Sequence, residues 1–326
     1  MIELGIALSS EEHGPLELVR QAVLAERFGF RHAAISDHYH PWTDRQGESS
    51  FVWSVLGAIA ASTQRLEMTT MVTCPTVRLH PAIIAQAAAT ISVMMPGRFT
   101  LGLGSGENLN EHIVGERWPR AGERIQMLAE AVSIIRRLWA GGTVSYDGSY
   151  FTVDTARVYS LPDELPPIFL AAAGPKAAHL AGRMGDGLIT TSPDAALVQA
   201  FENEGNSGLR LSSMAVSVHG SEQEGMRLAA EIWPTAAVDG SFKQELPRPK
   251  HFEESTQGVK PDDVARTIIC SLDARKHVEM IKRYADAGYQ RLYVRQTGGD
   301  QERFMRFYTQ EVMPALEHEP STAGAR

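Results

Sequence analysis

Apolar and polar positions along this chain follow two periods that take turns. Short, nearly unbroken apolar runs cover residues 2–8, 32–36, 66–72, 99–103, 167–172, 186–190, 209–218 and 291–294. They are too short for helices and too uniformly apolar for half-exposed strands, so they read as strands buried on both faces. Between them lie stretches with helical spacing at 16–28, 51–61, 81–95, 120–140, 176–184, 274–287 and 301–316. In the first stretch Leu18, Val19, Ala22, Leu24, Ala25 and Phe28 recur at helical intervals, and Gly29 follows where a left-handed cap belongs. Pro81 opens another at its first turn, a position whose N–H has no partner inside the helix. Such alternation predicts parallel pairing under a cover of helices. Eight units of this kind predict a closed α/β fold, the (β/α)8 TIM barrel, rather than an open doubly wound sheet.

Two segments break the beat. Residues 142–161 contain aromatic and β-branched runs on either side of Asp147-Gly148, a hairpin signal. Residues 233–260 are rich in Pro, Gly and polar side chains and read as a lid-like loop near the barrel mouth. Residues 319–326 read as a frayed tail. The expected organisation is one barrel domain over 1–326 carrying these two insertions.

Charge changes the picture by exclusion. The 326 residues hold 31 Lys and Arg against 39 Asp and Glu, a net charge of −8, and no basic block stands out. A nucleic-acid or anionic-membrane partner is therefore not expected. Two cysteines, Cys74 and Cys270, are too few for a disulfide framework or a CxxC metal site. No apolar run reaches the roughly 18 residues of a membrane span. The first residues, Met1-Ile2-Glu3-Leu4-Gly5, lack the basic and apolar regions of a secretion signal. A cytoplasmic enzyme or small-molecule binder is the expectation.

In a parallel barrel, chemistry collects just past the C-terminal ends of the strands. After the first strand come Ser9, Ser10, Glu11, Glu12 and His13, which read by composition as a polar loop. After the second comes Ser36-Asp37-His38-Tyr39-His40-Pro41-Trp42, the densest cluster in the chain. An imidazole exchanges protons near neutral pH, and a neighbouring carboxylate can orient it. The bland alternative is a helix-capping Asp with surface histidines. His38-Tyr39-His40 also looks like the His-x-His pair of metal hydrolases, but the fifth and sixth strands end in Ala171-Ala172-Ala173 and Thr190-Thr191, which offer no further ligand, so no metal is expected. After the third strand, Thr73-Cys74-Pro75 reads as a lining turn, with no base beside Cys74 in sequence to activate it. After the fourth, Gly102-Leu103-Gly104-Ser105-Gly106-Glu107 lacks the last glycine of a dinucleotide fingerprint but permits close approach of a flat ligand, with Glu107 as a proton donor or acceptor. After the fifth, Ala173-Gly174-Pro175-Lys176 opens a helix whose N-terminal N–H groups suit an anion.

Taken together, Leu8-Ser9-Ser10-Glu11-Glu12-His13-Gly14-Pro15, Ser36-Asp37-His38 with Pro41-Trp42, Val72-Thr73-Cys74-Pro75-Thr76, Gly104-Ser105-Gly106-Glu107-Asn108-Leu109-Asn110, and Ala173-Gly174-Pro175-Lys176 through Gly185-Asp186-Gly187 resemble the luciferase-like barrel family. Within it they are similar to the deazaflavin-dependent oxidoreductases that use coenzyme F420, the group with a glucose-6-phosphate dehydrogenase and a hydroxymycolate dehydrogenase. The resemblance implies that His38 is the base for an alcohol hydroxyl and that Glu107 protonates the deazaflavin ring. It implies that Trp42 walls the reacting carbon and that Glu11 stands near the base. Asp37, Cys74, Ser105, Gly106 and Asn110 would touch the ring and ribityl chain, and Ala173, Gly174 and Pro175 the cofactor phosphate. A non-proline cis peptide would fall near Met71 and Val72.

Of the cations that clamp a sugar phosphate in that group, only Lys243 has a counterpart; the other positions hold Asp194 and Thr267. An acid in place of a cation disfavours a dianion. The expected substrate is therefore an uncharged or bulky alcohol rather than glucose 6-phosphate, with Arg295 available to a polar substrate or the cofactor tail. Rival readings are an FMN-dependent monooxygenase of the same superfamily and a barrel that binds its cofactor without turnover. A homodimer is expected from the resemblance and from the apolar faces of the outer helices.

Overall fold

The computed structural model describes residues 2–238 and 240–318. Its strands are β1 (Glu3–Leu8), β2 (His32–Ile35), β3 (Glu67–Thr70), β4 (Phe99–Leu103), β5 (Val144–Asp147), β6 (Thr152–Ala156), β7 (Ile168–Ala171), β8 (Gly187–Ile189), β9 (Leu209–Val216) and β10 (Arg291–Gln296). Eight of them close into one barrel in the order β1-β10-β9-β8-β7-β4-β3-β2. All neighbours are parallel, and the seam is made by β1, where Ile6 pairs with Val294 on one side and Ala33 on the other. The TIM-barrel expectation holds.

The helices are α1 (Pro15–Arg27), α2 (Val52–Ser62), α3 (Pro81–Met94), α4 (Asn108–Glu111), α5 (Ala121–Trp139), α6 (Pro175–Met184), α7 (Ala195–Glu202), α8 (Glu222–Ile232), α9 (Gly240–Lys243), α10 (Pro249–Ser255), α11 (Pro261–Val264), α12 (Ala274–Asp286), α13 (Gln301–Phe307) and α14 (Met313–His318). α1 shows the logic of the outer layer. Leu18, Gln21, Ala22 and Ala25 form its buried stripe, while Glu17 and Arg20 pair on the solvent side at 2.6 Å. The strand faces that look outward, with Ile6, Leu8, Ala33, Ile35 and Val294, join that helix layer in one apolar core.

Inside the barrel a second, smaller cluster of Ala34, Phe169, Ile189, Leu211 and Tyr293 fills the lumen. Alternation along β10 then puts Arg291 and Arg295 on the same inward face as Tyr293, at opposite ends of the barrel. At the lower end Arg291, Glu3, His32 and Glu67 interlock: Arg291 lies 2.9 Å from Glu3, and His32 approaches Glu3 at 3.2 Å and Glu67 at 3.1 Å. These side chains plug the lower end of the lumen.

Between β4 and β7 the chain inserts α4, α5 and the antiparallel hairpin β5–β6. The segment read as a lid-like loop, 233–260, is instead built of short helical turns, α9 and α10 among them, followed by α11. Proline explains both the reading and the result: Pro234, Pro249 and Pro261 each break one turn and start the next at its first position. Trp42, Trp233, Phe252, Val264 and Ile268 give this region its own apolar cluster. The third strand stops at Thr70 rather than 72, where the Met71–Val72 peptide bond is cis, the position the resemblance implied. The expected tail at 319–326 lies outside the described residues.

Candidate active site

Three loops at the upper rim, after β1, β2 and β4, bring Glu11, His38 and Glu107 together. His38 Nε2 lies 3.4 Å from Glu11 Oε1 and 3.6 Å from Glu107 Oε2. Its other ring nitrogen, Nδ1, is 3.3 Å from the His40 carbonyl oxygen. A carbonyl only accepts, so Nδ1 is the donor in that contact and Nε2 is the nitrogen that faces the two carboxylates.

The two carboxylates differ in their surroundings. Glu11 is 3% exposed and accepts hydrogen bonds from Ser9 Oγ at 2.8 Å and Ser36 Oγ at 2.7 Å. Burial works against its charge, but His38, the Ser36 hydroxyl, its own backbone N–H and Ser9 together outweigh it and hold the carboxyl below the usual carboxylate range. Glu107 keeps about 30% of its side-chain surface open, with His38 and Asn110 against its carboxylate. Burial there, with the negative charge of Glu11, pushes its carboxyl up against the pull of His38 and Lys243. One imidazole thus faces an acid that stays ionised and an acid disposed to hold its proton, the division of roles that general acid–base chemistry uses.

Asn110 ties these loops to one another. Its Oδ1 accepts from the backbone N–H of Tyr39 at 2.9 Å and of His40 at 3.3 Å, and its Nδ2 donates to Glu107 at 3.4 Å. The turn that delivers Glu107 passes through Gly106 at φ +91°, a left-handed conformation that side chains resist. Just below, β3 and β4 approach so closely that a Cβ on Gly102 would lie 1.9 Å from the Thr70 carbonyl oxygen. Trp42 stands against His38 with ring centroids 5.2 Å apart, and its far side meets Phe252 edge-on at 5.1 Å.

The remaining residues singled out in the sequence lie around this centre. Asp37 is buried, with one oxygen taking the Thr73 hydroxyl at 2.7 Å and the other the Arg78 guanidinium at 2.8 Å. Burial, with Glu111, Glu107 and Asp37 near it, pushes the Cys74 thiol far up, which disfavours the thiolate a nucleophile needs. Met71 and Val72 pack against the lumen cluster. Ser105 and Gly106 form the turn before Glu107. Ala173, Gly174 and Pro175 start α6, where no side chain caps Gly174 and the first turn carries no acid. Lys243 lies in α9 and acts on Glu107. Arg295 projects from the top of β10, its guanidinium carbon 3.3 Å from the centre of the Trp233 ring.

Some working residues escaped the sequence reading. Ser36 stands two residues beyond the lumen-facing Ala34, which marks it as pointing inward. Arg78 and Glu111, which hold Asp37 and the chain at Val77 and Arg78, stand too far along the chain for spacing to reveal them.

The sequence model of the luciferase-like monooxygenase family matches residues 1–291. The chain belongs to the luciferase-like family. Among its luciferase-like relatives, a protein of Microbacterium testaceum named F420-dependent glucose-6-phosphate dehydrogenase is 38% identical over 328 residues, covering 97% of each chain. A protein of the same name from Nakamurella multipartita is 37% identical, covering 97% of this chain and 96% of its own. A solved structure of an F420-dependent secondary alcohol dehydrogenase in complex with an F420–acetone adduct matches with a TM-score of 0.89 at 30% identity, covering 97% of this chain and 99% of the other.

Proposed function

We propose that this chain is an F420-dependent oxidoreductase that moves a hydride between an alcohol, or its carbonyl counterpart, and the deazaflavin. The observation that carries the reading is one imidazole nitrogen between two carboxylates whose proton affinities are pushed in opposite directions. The names of relatives covering nearly the whole chain support the cofactor. The residues present fit it: the uncapped, acid-free start of α6 offers N–H groups to a phosphodiester, and nothing lies within 4 Å of where a Cβ on Gly174 would stand, so the approach to those N–H groups is open. F420, when bound, supplies a ring that accepts or returns a hydride and reacts poorly with oxygen.

The chain supplies the proton chemistry. His38 takes the hydroxyl proton at Nε2 as the alcohol is oxidised, and the anionic Glu11 balances the resulting imidazolium. Glu107 holds the proton destined for the ring, and Trp42 shields the reacting carbon on the substrate side. In the opposite direction His38 returns its proton to the carbonyl oxygen.

The substrate is not a sugar phosphate in this reading, although relatives carry that activity in their names. Asp194 caps α7 by accepting from the N–H groups of Ala196 and Leu197, and the Thr267 hydroxyl is spent on the Val264 and Ala236 carbonyls. Lys243 alone is a weak clamp for a dianion. The working form in this reading is a cytoplasmic homodimer, which sedimentation at the mass of two chains tests.

The deciding experiment is a spectral titration with oxidised F420 followed by a panel of secondary alcohols and glucose 6-phosphate. Bleaching of the deazaflavin band by alcohols supports the reading. Efficient bleaching by glucose 6-phosphate overturns the substrate assignment. Binding of FMN in place of F420, with oxygen uptake, replaces the whole reading by the monooxygenase.

A further inference from the structure

Arg295 stands at the mouth with hydrogen-bonding capacity to spare. Among the described residues no acceptor meets any of its N–H groups, and Nε is fully buried without a partner. Its guanidinium carbon sits 3.3 Å over Trp233, a separation that requires the flat face to lie on the ring. That contact consumes the face and leaves the N–H edge open, the edge that receives a carboxylate two bonds at a time. Two acids stand near it, but both are engaged elsewhere. Glu12 accepts from the Trp233 indole N–H and, at 2.8 Å, from the Gly298 N–H. Glu11 accepts from Ser9 and Ser36 and faces His38. They offset the charge of Arg295 through space without supplying its missing acceptor. Alternation along β10 aims the side chain into the barrel mouth, and its stacking partner Trp233 donates to Glu12, the neighbour of Glu11 on the loop that faces His38, so Arg295 borders the side of the mouth where His38 stands.

We propose that Arg295 receives a carboxylate carried by the substrate, making this enzyme selective for hydroxy acids over plain secondary alcohols. This departs from the expected uncharged alcohol in favour of one with a single negative charge beyond the reacting carbon. A single guanidinium edge matches one carboxylate, and Asp194 and Thr267 supply no cation for the second charge of a phosphate. The role is one of binding and orientation; the hydride and proton steps stay as described above. The inference rests on the function proposed above, and its test therefore includes an arm that needs no hydride transfer.

The binding arm titrates the F420-loaded protein with butyrate and with its neutral isostere butyramide by calorimetry. Wild type binds butyrate at least about 10-fold more tightly, Arg295→Met erases the difference, and Arg295→Lys keeps part of it because charge survives while the paired geometry is lost. The turnover arm compares 3-hydroxybutyrate with 2-butanol. The ratio of their kcat/KM values falls about 10- to 100-fold in Arg295→Met, through KM of the acid. Equal binding of butyrate and butyramide by wild type, or an unchanged ratio in the variants, overturns the proposal; so does equal loss on both alcohols, the mark of a purely structural prop for Trp233. If no alcohol bleaches F420 while butyrate still binds through Arg295, the functional reading fails and the anion site stands.

Discussion

Replacing Glu107 by Gln separates two consequences of one carboxylate. The substitution keeps size and the contact with Asn110 but removes both the proton and the charge. Glu11 and Glu107 approach the same nitrogen at 3.4 and 3.6 Å, so their oxygens lie no more than about 7 Å apart. Two ionised carboxylates at that separation repel by about 2 kcal/mol at an effective dielectric constant of about 20. The pKa of Glu107 is raised in the folded chain, so its contribution to stability is complete below the usual carboxylate value and is lost as pH rises through the raised one. Above that point wild type carries the repulsion and Glu107→Gln does not. Melting curves at alkaline pH therefore show the variant more stable by one to a few degrees, and curves at acid pH show no such gain. Catalysis moves the other way: kcat falls about 100- to 10,000-fold, because the ring side has lost its proton donor, and the fall in wild-type activity at high pH disappears from the residual rate. Stopped-flow bleaching of F420 with a saturating alcohol measures the first effect and calorimetric melting the second. A variant within about 3-fold of wild-type kcat, or one less stable than wild type at alkaline pH, refutes the division of roles between the two acids.

Other perturbations probe the same arrangement. His38→Asn lowers alcohol oxidation by about 100-fold or more while F420 still binds, as fluorescence titration reads directly. Asn110→Ala strips the acceptor from the N–H groups of Tyr39 and His40, costs about 1–3 kcal/mol in urea unfolding and lowers kcat, because the base loop loses its tether. At the closed end of the barrel, burial and then Arg291 hold the pKa of His32 below the usual histidine value against the pull of Glu67 and Glu3. The unfolded chain then takes up the proton first, so wild type loses stability as pH falls below about 6.5 toward that lowered value. Urea midpoints at pH 7.5 and 5.5 show a smaller drop in His32→Gln; equal drops would show that His32 plays no part.

The fold was legible because strands buried on both faces leave unbroken apolar runs, and eight of them alternate with helical stripes. Less legible was everything decided by contact across the chain. The segment 233–260 looked like a loop because its prolines erase helical periodicity, although the same prolines start its helices. Of the centre, His38, Glu107 and Trp42 announce themselves by residue type at strand ends. Glu11 stood in what composition alone made a bland polar loop, and only the hydroxyls of Ser9 and Ser36 and the imidazole explain a buried carboxylate there. The resemblance implies a cofactor contact for Asp37; the partnership of its oxygens with Thr73 and Arg78, 36 and 41 residues away along the chain, is one that no local pattern encodes.

The loops after β1, β2 and β4 carry Glu11, His38 and Glu107, whereas Trp233, Lys243 and Arg295 reach the mouth from the other half of the ring. On the proposed reading, reactivity and clientele would then be inherited largely from separate stretches of chain, tied to each other where Lys243 pulls on Glu107. Rewriting residues beyond about 190 while leaving the stretch before 111 and Lys243 as they are would retune what enters more than how it reacts.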